Sequence, residues 1–238
     1  MSPPKARSPY RLALLFDVDG TLLLTDGAAR EAFSHAVARV LSVEDDLTDV
    51  PFAGRTEPLI VADILAKHGR SFGDGEEPMF WNAVFDRMRA IFGPDRGHLL
   101  PGVPELLEAT EREPAWVQGL LTGNMTEMAR IKLARFSIAE RFRFGAFGEE
   151  APDRNALARL AVGRVGERYG IPPHRCIVIG DTVHDVECAR AAAARAVAVA
   201  TGSSTLETLE RTGPDLLLRD LTLRAPLLAW MRSVAAED

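Results

Sequence analysis

The stretch Leu12-Ala13-Leu14-Leu15-Phe16-Asp17-Val18-Asp19-Gly20-Thr21 constrains the fold more than any other part of the chain. Five consecutive apolar residues suit a strand buried on both faces, as found inside parallel sheets. The run stops at two aspartates one residue apart. A strand period of two puts both carboxylates on the same side at its C-terminal end, the edge where open α/β sheets bind ligands. Carboxylates this close repel unless something positive lies between them, and a divalent cation is the natural guest. A strand followed by an ordinary Asp-Gly turn would leave the same letters.

The chain has 238 residues, enough for one large domain or for a core with an insertion. A hydrophobic content of 47% beside 26% charged residues describes a soluble globular protein. The net charge of −6 argues against a general binder of nucleic acid or anionic membranes. Cys176 and Cys188 lack CxxC spacing and read as reduced thiols, and a cytoplasmic protein is expected. The proline-rich, polar residues Met1 to Pro9 read as a loose tail, and the apolar run after them is too short to cross a bilayer. Five histidines without metal-ligand spacing argue against zinc.

From Thr25 to about Arg96 the pattern turns helical, with Phe33, Val37, Val40 and Leu41 on one face. Ile60, Ile64 and Leu65 mark a second helix, and Trp81, Val84, Phe85 and Met88 a third. A helical unit inserted after the first strand is expected, with residues 1–24 and 97–238 forming the core and 25–96 the insertion. Strands then alternate with helices: strands at 116–121, 141–147, 176–179, 197–200 and 216–218, helices at 101–113, 125–136, 155–169, 182–194, 206–212 and 223–234. That alternation predicts an α/β fold, a Rossmann-like parallel sheet with helices on both faces.

Three of the expected strands end in polar clusters: Asp17 with Asp19, Thr122-Gly123-Asn124, and Asp181 with Asp185. Parallel strands bring such clusters to one edge. Each has a plain structural explanation, Asp181 as a helix N-cap and Asp185 as an acid in a first turn. Their joint occurrence is harder to explain that way.

Here the sequence resembles the haloacid dehalogenase-like hydrolase superfamily. Its first motif, DxDGT, is matched by residues 17–21. The second, an apolar strand ending in Thr or Ser, is matched by Gly119-Leu120-Leu121-Thr122, and the fourth, GDxxxD, by Gly180-Asp181 through Asp185. The insertion falls where the family carries its alpha-helical C1 cap, and the resemblance is closest to phosphoglycolate-phosphatase-like members. The third motif departs from the pattern. The family normally has a lysine before the fourth motif, but the only lysines here are Lys5, Lys67 and Lys132. Arg154 stands in about the expected place and can neutralise charge through its planar fork; Lys132 is the fallback.

The resemblance implies that Asp17 attacks phosphorus to form an aspartyl-phosphate and that Asp19 serves as acid, then base. It also implies Mg²⁺ held by Asp17, the Asp19 backbone carbonyl and Asp181, with Asp185 ligating directly or through water. Thr122, with backbone N–H groups near Val18 and Gly123, would hold the phosphoryl oxygens. Gly20, Thr21 and Asn124 belong to the same loops, and Arg55, in Gly54-Arg55-Thr56, would meet a second anionic group of the substrate. Thr201-Gly202-Ser203 would shape the pocket edge. Asp19 argues for phosphoryl transfer over carbon–halogen cleavage, since dehalogenase relatives lack it. The expectation is a Mg²⁺-dependent phosphatase of a small organic phosphomonoester. The rivals are a sugar-phosphate mutase, whose known members carry a histidine near Arg30 and Glu31, and a non-catalytic partner-binding protein on the same fold.

Overall fold

A computed structural model describes residues 9–237, so the tail expected before Pro9, including Lys5, lies outside the described residues. The described residues form a sheet of six parallel strands: β1 (Leu12–Phe16), β4 (Trp116–Leu121), β5 (Gly145–Ala146), β6 (Cys176–Gly180), β7 (Arg195–Val199) and β8 (Leu216–Leu218). Their order is β5-β4-β1-β6-β7-β8. Along β1, Leu12, Leu14 and Phe16 enter one core cluster while Ala13 and Leu15 enter the other. Its five apolar residues therefore satisfy two faces at once, as expected of a central parallel strand.

The first face is covered by α4 (Val103–Glu111) and α9 (Arg224–Ala236), through Leu106, Leu107, Leu227 and Met231. The second is covered by α6 (Arg154–Tyr169), α7 (Val183–Ala191) and α8 (Leu206–Thr212), through Leu157, Ala161, Ala189 and Leu209. The sheet grows from β1 toward β4 and β5, then returns to place β6 on the opposite side of β1. That reversal opens a crevice at the C-terminal ends of β4, β1 and β6. Among the described residues, no helix is long and apolar enough to cross a membrane.

Between β1 and β4 lie α1 (Ala28–Ala36), α2 (Glu57–Lys67) and α3 (Glu76–Ile91), with a π-helical turn at Val37–Leu41. These helices share a third cluster built on Phe33, Phe80, Trp81 and Met88, joined by Met128 of α5 (Thr126–Arg135). Phe33 sits at its centre, edge-on to Phe52, Phe80 and Trp81 with ring centroids 5.4, 6.2 and 6.0 Å apart. Such aromatic geometry adds to area burial.

Three local features depart from the sequence pattern. The insertion is bracketed by an antiparallel pair, β2 (Leu23–Leu24) and β3 (His98–Leu99), too short for any periodicity to reveal. The strand expected over 141–147 shrinks to two residues, because 139–141 close into a 3₁₀ turn and the Phe144 ring occupies the space above Gly119. The helix expected to 194 ends at Ala191, where Ala193 takes a left-handed φ of 55°. The Phe33→Ala variant should lose about 3–5 kcal/mol of unfolding free energy in urea titration; a loss below about 1 kcal/mol would show that the third cluster is not centred on this ring.

Candidate active site

Because β4, β1 and β6 are neighbours, the loops after them converge, and the start of α6 joins them. Together with the helical insertion they line a cavity of about 470 Å³. Asp17, Asp19, Gly20, Arg55, Thr122, Gly123, Asn124, Lys132, Arg154 and Asp181 all reach it. Val18 and Thr21 do not line it. The Val18 side chain is packed in the core, and the Thr21 hydroxyl donates to Asp181 Oδ1 at 3.2 Å.

The dry end of the crevice is a carboxylate cluster. Asp17, Asp181 and Asp185 are buried, and each offers an oxygen within 4.8 Å of the others. A single buried cation, Arg154, answers them: its Nη2 lies 3.0 Å from Asp17 Oδ2 and also donates to Asp185 Oδ1. Burial pushes the Asp17 carboxyl up to about 6, with Arg154 pulling the other way and Asp185 and Asp19 adding to the rise. Burial, reinforced by Asp185 and Asp17, pushes Asp181 up to about 8. Burial also works against the charge of Arg154, yet Asp17 and Asp185 hold it protonated well above its usual range. Three carboxylates against one guanidinium leave excess negative charge in a low-dielectric recess, an arrangement that a divalent cation would relieve.

Asp181 and Asp185 are positioned differently. Asp181 rests between two glycines, and a Cβ on Gly20 or Gly202 would fall 2.6 or 1.8 Å from its carboxylate. The Ser203 amide donates to its Oδ2 at 3.1 Å, and Thr201 ties the two loops together by donating to the Gly20 carbonyl at 2.6 Å. Asp181 is not the N-cap that the sequence permits. Thr182 fills that place, in a capping box with Asp185. Asp185 Oδ2 accepts the Thr182 amide at 2.9 Å and its hydroxyl at 2.6 Å, while Oδ1 meets Arg154. Both Asp185 oxygens are thus engaged at short range, one of them by a guanidinium, whereas the Asp181 oxygens accept only the longer bonds from Thr21 and Ser203 at 3.2 and 3.1 Å.

Asp19 belongs to a second, wetter constellation, its side chain 42% exposed. Asn124 Nδ2 donates to Asp19 Oδ2 at 2.7 Å and to Thr122 Oγ1 at 2.7 Å. Lys132 Nζ lies 2.8 and 2.7 Å from the two Asp19 oxygens. Arg154 and Lys132 both reach the cavity, but they serve different aspartates. Arg55 lines the cavity with its Nη2 paired to Asp63 at 2.6 Å.

Arg30, named from sequence only against the mutase reading, and Glu57, not singled out there at all, also line this cavity. Arg30 donates to the Val50 carbonyl at 3.1 Å and stacks 4.3 Å from the centre of the Phe52 ring. Its neighbour Glu31 is drawn to Arg87 and Arg96, each at 2.6 Å. Glu57, at the start of α2, is buried against the loop after β4. Its N–H donates to the Gly123 carbonyl at 2.8 Å, and its carboxyl accepts the Met125 amide at 2.8 Å. Backbone meets backbone at this contact: a Cβ on Gly123 would lie 2.0 Å from the Arg55 carbonyl oxygen. The letters Glu57-Pro58 signal only a helix start.

A six-stranded parallel sheet with carboxylates, Thr122 and a buried cation at its C-terminal edge makes this an α/β protein of Rossmann-like architecture with a helical insertion beside its site. The family model of haloacid dehalogenase-like hydrolases matches residues 14–190, and the chain belongs to that family. It stands among the family's phosphatases. It is 28% identical over 196 residues to Protein CbbY of Rhodobacter capsulatus, covering 78% of this chain and 83% of that one. It is 24% identical over 224 residues to the phosphoglycolate phosphatase of Agrobacterium fabrum, covering 92% and 93%. In fold it matches a crystal structure from Haemophilus somnus described as a predicted phosphoglycolate phosphatase, with a TM-score of 0.73, 17% identity, and 94% and 100% of the two chains covered.

Burial pushes the Glu57 carboxyl from 4.5 up to about 8, against the opposing pull of Lys132. The folded protein therefore binds this proton more tightly than the unfolded chain. Its contribution to stability is complete below about pH 4.5 and is lost as pH rises toward 8. Glu57→Gln keeps an oxygen for the Met125 amide and carries no charge. The variant should match the parent near pH 5 and exceed it by on the order of 3 kcal/mol at pH 8, read from urea unfolding across that range. Parallel pH curves for the two proteins would refute this account of Glu57.

Proposed function

We propose that the protein is a Mg²⁺-dependent phosphatase that hydrolyses a small, phosphoglycolate-like organic phosphomonoester through an aspartyl-phosphate. The observation that carries this reading is the pairing of the two constellations across one cavity: a buried carboxylate cluster around Asp17, and the half-exposed Asp19 facing the same space. Residues 1–24 and 97–238 are read as the core domain and 25–96 as a C1-type cap whose face over the cavity selects the substrate. The two free, buried cysteines fit a reducing, cytoplasmic location.

In this mechanism an Asp17 carboxylate oxygen attacks phosphorus, the bond from phosphorus to the ester oxygen breaks, and Asp19 gives that oxygen its proton. Water then attacks phosphorus, Asp19 takes the water's proton, and the bond to Asp17 breaks to release phosphate. Thr122 and the backbone of Gly123 hold the phosphoryl oxygens, and Arg154 fixes Asp17 for attack. Asp17 and Asp181, with the Asp19 backbone carbonyl and a share from Asp185, would hold Mg²⁺, which when bound neutralises charge between nucleophile and phosphoryl group. Arg55 would exchange Asp63 for an anionic group on the substrate.

The test is phosphate release from a panel of small phosphomonoesters, with and without Mg²⁺. Parent activity should require the metal, and Asp17→Asn should lose at least about 10³-fold. Mg²⁺ should raise the melting temperature of the parent but not of Asp181→Asn. Arg154→Ala should lose about 3–5 kcal/mol of stability, since it strands two buried carboxylates, and Mg²⁺ should restore part of the loss. A parent that binds Mg²⁺ yet releases no phosphate from the panel would overturn the reading.

A further inference from the structure

Lys132 is a buried, charged residue of the site that this mechanism leaves without a task. It lies inside α5, its side chain only 2% exposed. An ammonium has three N–H donors, and each has an acceptor here: Asp19 Oδ1, Asp19 Oδ2 and Asn124 Oδ1. No donor remains for a phosphoryl oxygen. Asn124 closes the ring by donating to Asp19 Oδ2 and to Thr122 Oγ1. The Asp19 carboxylate is thus gripped by two residues from the segment following β4, although Asp19 itself follows β1. Without those contacts its half-exposed side chain would be free to turn into water.

We propose that Lys132 is a positioning residue for Asp19: it sets the carboxylate's orientation toward the leaving oxygen and, through Asn124, locks that orientation to Thr122. This rests on the phosphatase reading above. It separates the work of the two buried cations, with Arg154 serving the attacking aspartate and Lys132 the proton-carrying one. A fault in Asp19 placement should appear only where a proton must move, whereas a general defect in packing or phosphate binding should slow every substrate alike.

The experiment compares an alkyl phosphate, whose leaving alkoxide needs a proton, with p-nitrophenyl phosphate, whose phenolate leaves without one. In Lys132→Met, kcat/KM for the alkyl ester should fall by about 10²-fold, in the range of general acid catalysis, and by at least about tenfold more than for the aryl ester. Water activation by Asp19 should slow as well, so a stoichiometric burst of p-nitrophenolate should precede turnover. Asp19→Asn, run alongside, should show the same split more strongly. If Asp19→Asn shows the split and Lys132→Met slows both esters equally without a burst, the inference fails and the phosphatase reading stands. A parent that hydrolyses neither ester, or an Asp19→Asn variant without the split, removes both. Should Lys132→Met not fold, Lys132→Gln, which also lacks the charge but keeps a donor, answers the same comparison.

Discussion

The site depends on one guanidinium placed where three strands' ends meet. Arg154 comes from the first turn of α6, Asp17 from the end of β1, and Asp185 from the first turn of α7. No two of these elements are consecutive in sequence. Buried carboxylates without a partner would shift to their neutral forms or open the structure to water. A buried arginine without carboxylates would be worse. Each side therefore makes the other tolerable. The compensation is incomplete, as the upward displacement of Asp17 and Asp181 records. A divalent cation would relieve that residual imbalance.

A second constraint is steric. Around the cavity the main chain approaches other groups too closely for side chains: Gly123 against the Arg55 carbonyl, Gly148 against the Gly123 carbonyl, and Gly54 against the His184 ring. The insertion thus meets the loop after β4 backbone to backbone, and Glu57 bonds that loop through both its amide and its carboxyl. The cavity lies between the Asp17 recess and the Phe52 and Ile60 side of the insertion. The price in flexibility falls on glycine positions, where a left-handed φ at Gly54 is tolerated.

Much of this was legible from the letters because apolar runs and their polar endings are local signals. The run before Asp17, the strand 116–121 and the strand beginning at Cys176 each announce burial on both faces, and the end of each marks the site. Arg154 is picked out by its place in the order of motifs, and the structure sets it 3.0 Å from Asp17. The roles within the loops were not legible. Thr21 and Val18 sit in the same pentapeptide as Asp17, yet one supports Asp181 and the other fills the core. Thr182 rather than Asp181 caps α7 because its hydroxyl and amide form a capping box with Asp185, a pairing that the letters do not rank above the alternative. Glu57 carries no local mark of burial, since its desolvation is produced by a loop some 65 residues away. Nothing local distinguishes Lys132 from a solvated helix lysine either; its burial follows from α5 lying between the first and third clusters.

The two cations also explain why one is arginine and the other lysine. At the recess, carboxylates from different elements must be bridged across a dry space, where Coulomb attraction is least screened and a delocalised, weakly hydrated charge is least costly to bury. Around Asp19, water reaches the carboxylate and screens the attraction, so charge alone would position little. There the useful property is geometric: three diverging N–H donors on a compact ammonium, matched by three oxygens of two residues. In the proposed mechanism Arg154 accordingly sets the electrostatic balance around Asp17, and Lys132 sets the direction of the Asp19 carboxylate. Each cation is thus suited to the dielectric in which it sits.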